Sequence, residues 1–228
     1  MPGSKTESSA ARLAAALRRV IALRTRLQED ASLAARWRAV KHYQRERLRK
    51  TYGDLLESER YGAAARFFLD DLYGEKDFEQ RDREALRVVP KLARLLPERA
   101  VHALAMGVEL DELSETLDAR VATHLRLPAD DAAYAAAYRT AGTRAEREHQ
   151  IEMADHIGHT LDRLARLPLI SGMLHLMRAP AHAAGLSHLH EFLQRGFDSF
   201  QAMHGAKDFL AAVKSRETVL MERLLDER

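Results

Sequence analysis

His149, Glu152, His156 and His159 are spaced three, four and three residues apart, so on a helix they form one stripe. Glu152/His156 and Asp155/His159 are i, i+4 pairs, a spacing at which two side chains reach one metal ion. The apolar positions Met153, Ile157, Leu161 and Leu164 lie nearly opposite, so the stripe is expected to face water or a partner subunit. A buried di-iron centre needs inward Glu-x-x-His pairs on two helices, and Glu146/His149 is the only such pair. The competing reading is a solvated charged face. His175, His182, His188, His190 and His204 share no face, and one histidine alone does not indicate haem.

A second constellation is basic. Between Arg36 and Lys50 stand seven basic residues and one acid, Glu46. Arg38, Lys41, Arg45 and Arg49 share a helix side beside the apolar positions Trp37, Val40 and Leu48, as a phosphate-contacting strip would. Without a helix-turn-helix or zinc-finger pattern, pairing with acids of neighbouring helices is the favoured explanation. Other chemistries lack a signature. The chain has no Gly-x-Ser-x-Gly elbow, no glycine-rich dinucleotide fingerprint, no P-loop and no cysteine to serve as nucleophile or zinc ligand.

These side chains must be positioned by helices. Apolar residues make up 46% of the 228, enough for a sizeable core, yet aromatics are only 6%. Alanine and leucine dominate, which suits close helix packing better than sheet. Thirty-six basic against 34 acidic residues leave a formal net charge of +2 and no global pull toward nucleic acid or an anionic membrane. No apolar run approaches the roughly 20 residues of a membrane span, and the polar start lacks a secretory signal. A cytoplasmic protein is expected.

Along the chain, residues 1–8 are expected to be disordered and 9–228 to form a single helical domain. Asp30 suits a helix N-cap, Ser58 another, and Asp77/Gln80 and Thr143/Glu146 have the form of capping boxes. Gly74, Pro90, Gly107, Pro168 and Pro180 read as helix ends or breaks. Leu189, Phe192, Leu193, Gly196, Phe200 and Met203 make one apolar face, with Gly196 allowing another backbone to come close. The sum is an all-α bundle of about nine or ten helices in one domain.

Two segments, FFLDDLYGEKDFEQRD (67–82) and MRAPAHAAGLSHLHEFLQRGFDSF (177–200), resemble a family of uncharacterised proteobacterial helical proteins of roughly 220 residues. The resemblance runs from about Trp37 onward. It implies a bacterial, single-domain, cytoplasmic protein and carries no activity, cofactor or catalytic residue. Within and around these segments Arg60, Arg66, Arg81, Asp82, Arg87 and Arg178 adjoin apolar surface, where unpaired charge is costly. Either they clasp acids such as Asp70 and Asp71, or arginines line an anion pocket, with Arg66, Arg81, Asp82 and Arg178 as the ligand-binding candidates.

The expectation is therefore a non-enzymatic helical binding or regulatory module that self-associates or binds a partner protein. The alternative is an enzyme or sensor holding a metal, haem or small anionic ligand between helices. The sequence calls for no cofactor, although metal and haem stay open, and it favours neither membrane nor nucleic acid.

Overall fold

The computed structural model describes residues 8–72 and 78–226. Among them are eleven α-helices, one π-helical turn and no strand. The helices are α1 (Ser9–Glu29), α2 (Ala31–Thr51), α3 (Gly53–Glu57), α4 (Gly62–Phe67), α5 (Phe78–Leu95) and α6 (Glu98–His124). They continue with α7 (Asp131–Ala141), α8 (Arg144–Ala165), α9 (Pro168–Ala183), α10 (Ser187–Ala202) and α11 (Lys207–Asp226); the π-helical turn is Phe68–Leu72. The expected end at Gly74, the Asp77 half of one capping box, and the N-terminal tail up to residue 7 lie outside the described residues.

Local chemistry explains several starts. Ser8 Oγ accepts from the Ala11 amide at the head of α1, and Asp30 accepts from Ser32 and Leu33 at 2.8 and 3.0 Å at the head of α2. Asp130 caps α7 through the Ala133 amide, and Thr143 with Glu146 forms a complete capping box on α8. Three expected breaks do not end their helices. α5 runs through Pro90, which is exposed, while the adjoining Val88 and Val89 are buried and Val89 packs with Leu13 and Leu17. α6 runs through Gly107 over 27 residues, because buried Val101, Ala103, Ala105, Leu117 and Val121 outweigh a glycine cost of about 1 kcal/mol. α9 likewise passes the exposed Pro180.

The arginine content has a structural use. Six arginines donate to carbonyls at or just beyond the C-terminal end of another helix, where orphaned acceptors and the negative dipole end meet. Arg36 bonds Ala122 of α6, Arg216 bonds Thr51 of α2, and Arg66 bonds Leu56 of α3. Arg87 reaches Ala184 and Gly185 after α9, Arg60 reaches Met203 and Gly205 after α10, and Arg139 reaches Leu224 of α11. Composition alone shows the arginines but not this assignment.

α1 and α6 run in the same direction, since Arg12–Glu109, Arg19–Glu112 and Arg24–Glu115 advance along both helices together. α8 and α11 are antiparallel, held by Arg144–Asp226, Lys214–Asp155 and the Ala206 amide donating to Asp162. Buried apolar residues fall into separate clusters. One joins α2, α6, α7 and α11 around Val40, Val121, Tyr134, Tyr138 and Leu224. Another centres on Phe200, Met203, Phe209 and Leu210, and a third on Leu13, Leu17, Val89 and Val101. Gly196 serves the close approach expected of it, but against a ring: a Cβ there would lie 2.9 Å from Phe67 Cζ.

Candidate ligand site

Two features stand out from the residues upward. The first is a buried charge cluster where α1, α2, α5 and α6 meet. Arg24, 6% exposed, donates to Glu115 and Asp111 at 2.9 Å each and forms a short contact with Asp82. Lys41 reaches Asp118 at 2.7 Å and Glu115 at 3.1 Å, Trp37 Nε1 donates to Glu115, and Arg81 donates to Asp82. Burial disfavours the Arg24 and Lys41 cations, but the surrounding carboxylates outweigh it and raise both pKa values. Burial also opposes ionised Glu115, yet Lys41 and Arg24 bring it below the usual carboxylate range; Asp111 is raised, burial being the leading cause. Saturated with mutual partners, this cluster is a structural clasp.

The second feature is a cavity of about 210 Å³ among α2, α6, α7, α8 and α11. It lies between the Val40–Tyr138 cluster and the Phe200–Leu210 cluster, so its walls are largely Leu48, Phe68, Phe209, Leu210, Val213 and Leu220. Arg147, in the first turn of α8 and 3% exposed, is among its lining residues, with Nε and Nη2 turned to Gly142. Its guanidinium stacks 4.2 Å over the Tyr138 ring, and Nη1 donates to Gln150 at 3.3 Å. Nε and Nη2 are buried without a hydrogen-bond partner, and among the described residues no carboxylate lies within ion-pair distance.

The neighbours of Arg147 are polar but already engaged. Glu217 accepts from Arg47 at 2.8 Å and from Tyr52 at 2.6 Å; Asp118 accepts from Lys41 and Gln44 at 2.7 Å each. Gln44 also donates to Tyr134 Oη, while its own Oε1 is buried without a partner. Burial pushes the Tyr138 phenol up to about 12 and raises Tyr134 too, so both stay neutral near pH 7. An uncompensated buried cation costs several kcal/mol. An anion from solution would offset that cost.

The residues singled out by sequence fall elsewhere. His149, Glu152 and His156 are exposed on α8, and His159 stands 3.5 Å from Asp155. Among the described residues no group of three or more His, Cys, Asp or Glu is placed to hold a metal ion. Of the basic strip, Lys41 turns into the charge cluster and Arg45 pairs with Asp70, leaving Arg38 and Arg49 exposed. Arg81 and Asp82 join the clasp, Arg66 caps α3, and Arg178 is exposed on α9. Asp71, 5% exposed, is held by Arg195 at 2.6 Å. Arg147 carries no motif; only its first-turn position beside a capping box was visible in sequence.

Against known families, residues 23–228 match the model described as Domain of unknown function (DUF8198). The chain belongs to the DUF8198 family. That match spans every helix except the first part of α1 and takes in both Arg147 and the cavity walls. No curated protein and no solved structure matches the chain. The DUF8198 domain is thus an all-α bundle in which, among the described residues, no helix is long and apolar enough to cross a membrane.

Proposed function

We propose that this DUF8198 protein is a non-enzymatic helical binding module whose ligand is a small anion held by Arg147 in the interhelical cavity. One observation carries the reading: a 3%-exposed arginine with no carboxylate in ion-pair distance among the described residues lines an interhelical cavity of about 210 Å³. Around it stand neutral phenols and engaged acids rather than a poised base or nucleophile. The test is thermal unfolding of the wild type and Arg147→Lys across a series of small anions at constant ionic strength. A saturable, Arg147-dependent rise in Tm is expected for some anion; no specific rise for any anion would sink the reading.

A second reading, self-association, is favoured by α9. Leu169, Leu176 and Met177 are 65%, 80% and 42% exposed, and Arg178 is the only residue of type Asp, Glu, Lys or Arg in that helix. A charge-poor apolar strip is self-complementary across a two-fold axis, which suits a second copy of the chain. Sedimentation velocity over a concentration series would detect it, with Leu176→Lys expected to shift the protein toward monomer. If the wild type stays monomeric at the highest concentration, self-association fails. A bacterial, cytoplasmic setting belongs to the same proposal, on the resemblance alone.

A further inference from the structure

Away from the Arg147 cavity, we propose that His188, at the start of α10, accepts a phosphoryl group on Nε2 from a donor of the acyl-phosphate or phosphoramidate class. The observation behind this is its pairing with Glu84 of α5. The Glu84 side chain is 3% exposed and that of His188 56%, with His188 Nδ1 lying 2.9 Å from Glu84 Oε1. Gln80 Nε2 donates to the same oxygen at 3.1 Å, and the Leu189 amide donates to Oε2 at 2.9 Å. An ionised carboxylate only accepts, so Nδ1 carries the ring proton. The lone pair of the neutral ring is then on Nε2, which has no partner among the described residues. A carboxylate behind an imidazole fixes its tautomer and orientation and stabilises positive charge that the ring gains on reaction.

Other histidines are arranged differently. His159 and His182 meet Asp155 and Glu191 through Nε2, at 3.5 and 3.9 Å. His190 is buried with Nε2 on the Leu174 carbonyl, and His175 sets Nδ1 on the uncharged Ser171 carbonyl at 2.9 Å. Among the described residues no group of three or more His, Cys, Asp or Glu is placed around a metal ion, which leaves Nε2 of His188 to act as a nucleophile. Its lone pair forms a bond to phosphorus as the bond from phosphorus to the leaving group breaks, and the leaving group keeps that electron pair. Phosphoramidate, its nitrogen already protonated, releases ammonia. The ring retains its Nδ1 proton and becomes cationic, and Glu84 offsets that charge. The phosphoryl oxygens are favoured by the positive end of α10, which has no side-chain cap at Leu186, and by Arg87, held on the Ala184 and Gly185 carbonyls just ahead.

The test is to treat the full chain with phosphoramidate and follow each histidine by peptide-resolved mass spectrometry in alkali. The expected result is phosphorylation of His188 at least about tenfold faster than of His149, His156 and His175, which are exposed on the same molecule. NMR should place the phosphoryl group on Nε2. Glu84→Gln should slow His188 to about the rate of His175. Because Glu84 variants weaken the start of α10, the comparison among histidines of the wild type decides by itself. Labelling of His188 no faster than of the other three, or attachment at Nδ1, would overturn the assignment. An unchanged rate in a folded Glu84→Gln protein would overturn the part given to Glu84.

Discussion

At the scale of residues, the same side-chain type serves three different ends according to what surrounds it. Arg60 and Arg87 finish helices, Arg24 is enclosed by carboxylates, and Arg147 is buried with two donors unused. Removing one partner of a buried ion pair leaves the other uncompensated. Arg24→Met should therefore destabilise the fold by about 3–5 kcal/mol in urea melts, far more than Arg19→Met at the exposed pair with Glu112. Glu115 gives the pH dependence. Its folded pKa is depressed, so its contribution is present above the unfolded value of 4.5 and is lost as pH falls through the folded value. Glu115→Gln should accordingly cost stability at pH 7, and the deficit should shrink in acid. Equal deficits at pH 7 and pH 3 would contradict the ionised, paired Glu115.

At the scale of elements, α10 lacks a cap of its own, since Leu186 occupies that position. Glu84 of α5 supplies it, accepting from the Leu189 amide and from His188 at 2.9 Å each while only 3% exposed. The leading influence, burial, opposes its ionisation, yet the amide and His188 bring its pKa below the usual range. Glu84→Ala should cost about 1–2 kcal/mol and show first as amide exchange at the start of α10. Gly107 offers the opposite test. A Cβ there meets nothing within 4 Å and the backbone is helical, so Gly107→Ala should stabilise by about 0.5–1 kcal/mol.

What sequence made legible divides along the same line. Asp30, Thr143 and Glu146 act on amides two or three residues away, so their roles follow from local spacing. Pro90 and Gly107 read as breaks because propensity is local, whereas the packing that overrides them comes from α1 and from the buried face of α6. Arg81 and Asp82 were visible as a charged pair beside apolar residues, but Arg24, the group that absorbs Asp82, lies 58 residues away. Arg147 was invisible for the plainest reason: its meaning is an absent partner, which only the arrangement of five helices reveals.

At the scale of the whole molecule, small side chains bring helices together in clusters but do not close the seam between them. The cavity occupies that seam, bounded on one side by Tyr134 and Tyr138 and on the other by Phe209 and Leu210. α11 contributes to both sides and is tied to α2 and α3 by Arg47–Glu217 and Arg216–Asp54. A ligand bridging the two clusters should therefore protect α11 as well as α8 from hydrogen exchange. The most direct measurement is a crystal structure of the protein soaked with bromide, a small anion located by its anomalous signal. The expected result is bromide in the cavity beside the Arg147 guanidinium. A cavity empty of bromide at saturating concentration would contradict it.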